Sequence, residues 1–156
     1  MPVAPKPAWT IPVADGPVSV VTDRITAAVV AGVAIVMTWK LGGVPPDPRG
    51  HGTHEAFGMA ECGWPKVYGI PCPTCGCTTA ACQVVHGDLV GAFVTQPFGA
   101  AIALFGLVAG VHALLCLLRG RSFVDALVRL PFWKIVAAMF LLLWAAWGYK
   151  YLVWET

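Results

Sequence analysis

The sequence is poor in charged residues. Only 12% of its 156 residues are Asp, Glu, Lys or Arg, and 58% are apolar, whereas a typical soluble domain is roughly one quarter charged. So few charges cannot cover a water-soluble domain of this size. The apolar residues also occur in long blocks, so the composition favours one domain of an integral membrane protein.

Two further absences narrow the function. The formal net charge is only +2, and no basic run or aromatic platform accompanies it, so we do not expect nucleic acid as a partner. No complete set of nucleophile, base and acid stands out in the chain. The sequence therefore indicates a non-catalytic membrane protein rather than an enzyme, with the lipid bilayer as its first partner.

The N-terminal segment lacks helix signals. Prolines are dense here, which argues against a regular helix before Val18; they are Pro2, Pro5, Pro7, Pro12 and Pro17. The segment also lacks the basic start and short apolar stretch of a secretory signal. We expect residues 1–23 to form an arm, either extended over the membrane surface or a partner, or disordered. Residues 24–156 are predicted to form a single membrane domain.

Three stretches are apolar and long enough to cross a bilayer as helices. They lie at about residues 25–44, 98–118 and 132–154. Fifteen uncharged residues begin the first stretch and cover about 22 Å of the roughly 30 Å hydrocarbon layer. Trp39 and Lys40 suit the interface and extend that span. The predicted fold is an all-α integral membrane protein with three transmembrane helices.

Shorter segments connect these spans. Residues 89–96, just before Pro97, are expected to form a short interfacial turn or helix, and residues 122–130 an amphipathic link. Six of the ten Lys and Arg residues lie on the side of the membrane that holds the N-terminus and the link of residues 122–130. The other four lie on the opposite side. The positive-inside rule then favours a cytoplasmic N-terminus in the cell inner membrane. It places the loop of residues 45–88 on the opposite side.

That loop carries five of the six cysteines. Its forty-four residues are long for a connection without structure of its own, so we expect it to fold. Within it, Cys72-Pro-Thr-Cys75 is a C-x-x-C pair. Such a pair is typical of half a zinc site, of a redox pair at a helix N-terminus, or of a structural disulfide in an oxidising compartment.

Helix geometry reduces the number of candidate residues. A helix over residues 74–86 would place Cys75, Cys82 and His86 on one face. Cys75 and Cys82 would then lie about 10 Å apart along the axis, too far for one zinc ion or a disulfide. Cys62, Cys72 and Cys75 are left as the compatible trio.

The trio has two interpretations. As a zinc site it needs a fourth ligand, which would be Cys77, His51, His54 or a water. As a structural element it would form a disulfide from Cys62 to either Cys72 or Cys75. Outside the loop, His112 and Cys116 share a face of the second span, and we expect His112 to make an interhelical hydrogen bond.

The cysteine loop resembles a known family. The pattern is Cys62, then Tyr68-Gly-Ile-Pro-Cys-Pro-Thr-Cys-Gly-Cys-Thr78, then His86-Gly-Asp88 and Gln96-Pro97. It is similar to small bacterial membrane proteins catalogued as domain of unknown function 2752, with the signature C-P-x-C-G-x-T-R. Thr79 stands where that family usually has arginine, so a role for that charge is in doubt here. The resemblance implies that the trio is the family's set of characteristic cysteines, and it implies no activity.

Three functions follow from these observations. The first is a structural or accessory subunit whose cysteine loop forms a stapled cap and contacts a protein partner or a second copy. The second is a membrane thiol–disulfide oxidoreductase that uses Cys72 and Cys75, with Cys62 as exchange partner. The third is a zinc-binding membrane protein that uses the trio. Zinc is the one cofactor that the sequence indicates.

Overall fold

A computed structural model of the chain describes residues 10–13 and 16–154. The helices and strands follow in the order β1 (Thr10–Val13), β2 (Gly16–Ser19), α1 (Val20–Gly42), a 3-10 helix (Thr53–Phe57), α2 (Gly63–Tyr68), α3 (Cys77–Val85), α4 (Leu89–Thr95), α5 (Pro97–Arg119), α6 (Phe123–Val128) and α7 (Phe132–Leu152). Helices dominate, which confirms the predicted helical membrane class.

Three of these helices are long and apolar enough to cross a membrane. Helices α1 and α5 have 23 residues each and α7 has 21, with mean hydropathies of 1.9, 2.5 and 1.5. At about 1.5 Å per residue, each exceeds the roughly 30 Å hydrocarbon layer. The three predicted spans are confirmed, and the bounds of α5 and α7 agree with the prediction within two residues at each end.

The first span begins earlier than predicted. Asp23 and Arg24, expected at its outer boundary, lie inside α1. Asp23 is fully buried and accepts hydrogen bonds from Ser122 Oγ and from Val124 N, each at 2.8 Å. A carboxylate at the first turn of α6 satisfies N–H groups that have no partner within that helix. This pairing explains why helix α1 can carry a buried acid.

Small residues line the contacts between helices, and large apolar residues face outward. Ala27, Ala31 and Ala113 are buried with Cys116 and Phe123 in one core cluster. By contrast, large apolar residues of α1 and α5 are exposed, including Val29, Val33, Val111 and Leu114. Packing through small residues with large residues toward the surroundings is typical of helices in lipid.

Among the residues that the structure describes, His112 makes no interhelical hydrogen bond of the expected kind. Its Nε2 lies 3.6 Å from Cys116 Sγ, within the same helix. The ring packs at a tilt against Phe123 of α6, with the ring centroids 5.9 Å apart. The i, i+4 spacing already places the thiol within reach, so the imidazole is paired locally and the aromatic contact links α5 to α6.

The described part of the N-terminal arm is a hairpin. Strands β1 and β2 pair antiparallel, with Thr10 opposite Ser19 and Val13 opposite Gly16, and β2 leads directly into α1. The backbone is therefore extended where the prolines exclude a helix. Residues 20–23 of the predicted arm belong to α1 instead, and residues 1–9, 14 and 15 lie outside the described residues.

The chain divides into two compact units. One comprises the residues up to Ile35 together with Val108–Phe132, and the other Val36–Leu107 with the residues from Trp133 onward. In the second unit, α3 and α4 pack on the start of α5 through Ala80, Val84, Ala92 and Ala100. Helix α4 forms where a short helix was expected, and the cysteine loop contains the 3-10 helix, α2 and α3.

Replacing the buried acid of α1 tests its role in the first unit. Asp23→Ala removes a charged acceptor from Ser122 and from the first turn of α6, so we expect a loss of about 1–3 kcal/mol in the free energy of unfolding. Asp125→Ala is the matched control, because Asp125 pairs only with Arg129 on the surface and such pairs contribute about 0–1 kcal/mol. Thermal unfolding in detergent measures both, and equal losses would contradict the assignment.

Candidate functional site

The cysteine turn, defined as residues 71–75, precedes helix α3. Its backbone closes with a hydrogen bond from Cys75 N to Cys72 O at 3.0 Å, and Cys77 N donates to Thr74 O at 3.0 Å. Pro73 follows Cys72 and suits the second position of such a turn. Because α3 begins only at Cys77, Cys75 lies in the turn and not on the helix. The helix predicted from residue 74 was too long at this end.

Gly76 ends the turn in a left-handed conformation, with φ of +89°. A Cβ atom at this position would lie 2.7 Å from the carbonyl oxygen of Gly50. Position 76 therefore requires glycine for two reasons. One is the positive φ, and the other is the close approach of two backbone segments. This contact places the start of the loop against the cysteine turn.

Three side chains from the spanning helices and their junction hold the backbone of this region. Trp147 Nε1 donates to Pro71 O at 2.9 Å. Gln96 Nε2 donates to Pro73 O at 3.3 Å and to Cys75 O at 3.5 Å. Lys150 Nζ donates to Gly50 O at 3.3 Å and to Thr95 O at 3.4 Å. We call Gln96, Trp147 and Lys150 the clamp residues.

The clamp residues were missed by sequence reasoning. Trp147 and Lys150 lie within the third predicted span and Gln96 in the expected short helix, so none of them was a candidate site residue. Both Gln96 and Lys150 are buried, with exposed fractions of 0% and 8%, which is unusual for such polar side chains. The sequence contains one signal for Gln96 and Lys150. Both lie at the ends of apolar stretches, where a polar side chain needs a partner.

The structure brings the predicted cysteine trio together. Cys62, Cys72 and Cys75 line one cavity of about 340 Å³, together with His51 and His54. Cys62 stands at the start of α2. The charges of ionised Cys72 and Cys62 would both raise the pKa of Cys75, so the three thiols lie close enough to influence one another.

Burial keeps two thiols of the trio protonated. It raises the pKa of Cys75 to about 12, an effect to which the negative charge of ionised Cys72 and Cys62 would add and which the Lys150 ammonium opposes. Burial also raises the pKa of Cys62, and its hydrogen bond with Cys72 adds to this. Because the thiolate is the reactive form of cysteine, these two side chains are poor nucleophiles at neutral pH.

The other loop cysteines lie apart from the trio. Cys82 donates to Leu41 O at 3.4 Å and to Val44 O at 3.0 Å, and neither Cys82 nor His86 lines the cavity. Burial raises the pKa of Cys77 to about 11. All six cysteines are free thiols in the structure, so none of the expected disulfides is formed in it.

Charged side chains at the cavity pair with one another. Arg49 contacts Asp47 at 2.7 Å and Glu55 at 3.1 Å, and the hydrogen bond from Arg49 lowers the pKa of Asp47. Lys66 pairs with Glu61. Between Thr10 and Trp154, as far as the structure describes them, no group of three or more His, Cys, Asp and Glu side chains could hold a metal ion. The arrangement thus does not support the predicted zinc site.

Comparison with known proteins identifies part of the chain. Residues 62–110 match the family of proteins of unknown function DUF2752. The resemblance seen in the sequence is therefore confirmed over this segment. The DUF2752 segment contains the trio, the helices α2, α3 and α4, and the first part of α5. No curated protein matches the chain, and no solved structure matches it either.

Within the DUF2752 segment, the residue at the usual arginine position is buried. Thr79 is fully buried, and its Oγ1 shares a hydrogen bond of 2.9 Å with Oγ1 of Thr53 in the 3-10 helix. Thr53 Oγ1 also accepts a hydrogen bond from Asp47 N at 3.0 Å. In this chain, the position links α3 to the start of the loop through neutral hydroxyls.

A pair of glycine substitutions tests the close approach at the cysteine turn. Gly76→Ala and Gly58→Ala both place a side chain at positive φ, which costs about 1–2 kcal/mol. Only Gly76→Ala also meets a carbonyl oxygen, because nothing lies within 4 Å of a Cβ at Gly58. We expect Gly76→Ala to destabilise the protein more, by about a further 1–3 kcal/mol, in thermal unfolding. Equal effects would show that the approach is not tight.

Proposed function

We propose that this chain is a non-catalytic structural membrane protein, in which residues 45–88 form a cap fastened to the ends of α5 and α7. The observation that supports this most is the set of hydrogen bonds from the clamp residues to the backbone of the cap. Each clamp donor serves a main-chain carbonyl, so it fixes the position of the backbone. The cap is then a rigid extension of the membrane helices.

The protonation of the thiols agrees with a structural role. A redox or nucleophilic cysteine needs a low pKa and access to solvent. Cys75 is buried, and its pKa is raised to about 12. Such a thiol behaves as a small apolar residue until an oxidant or a strong base acts on it.

We further propose that Cys62 and Cys72 form a disulfide that staples the cap. Both residues line the same cavity, and both side chains are more exposed than that of Cys75. The positive-inside count places the cap on the side of the membrane away from the cytoplasm, where disulfides persist. The bond would join α2 to the cysteine turn, ten residues apart in the sequence.

An accessory role follows from the outer surface of the cap. Helix α2 exposes Trp64, Val67 and Tyr68, with exposed fractions of 42%, 72% and 65%. The rings of Trp64 and Tyr68 pack together, with centroids 5.3 Å apart. Exposed aromatic residues on a rigid element are characteristic of protein contacts, so we propose that a protein partner contacts α2.

The staple is tested by peptide mapping and unfolding without reductant. We expect a Cys62–Cys72 linkage in protein purified from the membrane, and a loss of about 2–4 kcal/mol in Cys62→Ser. The reductant is the internal control: once it is added, wild type and Cys62→Ser should unfold alike. Wild type that contains only free thiols, with stability unaffected by reductant, would exclude the staple.

A thiol–disulfide oxidoreductase is the second candidate, and the presence of all three thiols in one cavity favours it. In a protein with a Cys72–Cys75 disulfide, the Cys62 thiolate would attack Cys72 Sγ. The Cys62–Cys72 bond forms, the Cys72–Cys75 bond breaks, and the electron pair leaves on Cys75 Sγ beside Lys150. A disulfide substrate such as oxidised glutathione would supply the original two-electron oxidation. Cys62 loses its proton before the attack, and the Cys75 thiolate takes up a proton afterwards, because its pKa is raised to about 12.

Equilibration against glutathione buffers separates the two candidates. The structural staple predicts a reduction potential below about −300 mV, whereas an oxidoreductase has a higher one. We expect the low value, and Cys75→Ser should leave it unchanged because Cys75 takes no part in the staple. A potential near that of glutathione, changed by Cys75→Ser, would establish the exchange reaction and overturn the structural proposal.

A further inference from the structure

An apolar groove lies beside helix α4, away from the cysteine cavity. It has a volume of about 510 Å³ and is lined by Leu89, Val90, Phe93, Val94, Pro97 and Tyr149. The hydroxyl of Tyr149 is already used, because it donates to Val94 O at 2.8 Å. The groove therefore offers apolar surface and no lining charge.

Helix α4 has the same small-inside, large-outside pattern as the spanning helices. Ala92 is fully buried in the cluster with α3 and α5. Val90 and Val94 face outward, with exposed fractions of 78% and 61%. In water, a helix with this pattern would expose its most apolar face, whereas in lipid the pattern is the expected one.

The ends of two spanning helices place the groove at the edge of the bilayer. Pro97 is the first residue of α5, and Tyr149 lies in the last turn of α7. At the other end of α4, the exposed Asp88 caps the helix by accepting from Gly91 N at 2.8 Å. Helix α4 thus leads from a polar cap to the first residue of α5, beside the last turn of α7.

We propose that this groove binds an acyl chain of a membrane phospholipid. Pro97 and Tyr149 bring the groove to the ends of two spanning helices, where the acyl chains of a bilayer begin. An acyl chain suits its lining because no charged or free polar group is present to bind a headgroup. The seated chain would hold α4 at a fixed depth, and with it Gln96, which directly follows α4 and clamps the cysteine turn. The proposal does not depend on the stapled cap.

Photolabelling in vesicles tests the site. The full-length protein is reconstituted in phosphatidylcholine vesicles with a trace of phosphatidylcholine that carries a diazirine on its acyl chain close to the headgroup. After irradiation, we expect peptide mapping to find label on residues 89–94 and on Tyr149. Exposed Phe105 of α5 serves as the internal reference for general contact with lipid.

Two variants make the result specific. The double variant Val90→Asn and Val94→Asn should lower the labelling of α4 severalfold relative to Phe105. Val67→Asn, which changes an exposed residue of α2 outside the groove, should leave it unchanged. Labelled Phe105 with unlabelled α4 would overturn the proposal, as would labelling of α4 that appears only when protein is diluted, since a second copy would then cover the groove.

Discussion

The irregular backbone of the cysteine turn depends on hydrogen bonds that it cannot make by itself. Residues 71–75 contain two prolines, and their carbonyl groups have no helix or sheet in which to find donors. A buried carbonyl without a donor costs about 1–3 kcal/mol. Gln96 supplies donors to the turn from the junction of α4 and α5, and Trp147 supplies one from α7. Lys150 of α7 donates to Gly50 O, the carbonyl that lies against Gly76. The position of the trio follows from this constraint.

Much of the fold can be predicted from hydropathy and residue spacing. The three spans follow from long apolar stretches because a helix is the simplest way to satisfy backbone polar groups in lipid. The trio is predicted from the axial rise of a helix, which separates Cys82 from Cys75, although Cys75 lies in the turn before α3. Both arguments use short-range geometry, which the order of residues contains directly.

The contacts that fix the site could not be predicted in the same way. Trp147 meets Pro71 across 76 positions, and Lys150 meets Gly50 across 100. Asp23 meets Ser122 across 99 positions. No local period encodes such pairs, and each of these side chains has an ordinary alternative place at a membrane interface. The common sign is a polar residue at the end of an apolar stretch, which indicates that a partner exists without naming it.

The chemistry of the three thiols depends on the side of the membrane on which the cap lies. Raised pKa values keep Cys62 and Cys75 as thiols, so neither can attack a disulfide quickly by itself. On the cytoplasmic side, reducing conditions would keep the trio as a small apolar cluster inside the cap. On the opposite side, an oxidising system could join Cys72 to a neighbour. Cys72 could form a disulfide with Cys62 or with Cys75. Cys62 is more exposed than Cys75, so an external oxidant reaches it first. The exposure of the three cysteines therefore favours a disulfide between Cys62 and Cys72, at the outer edge of the cap.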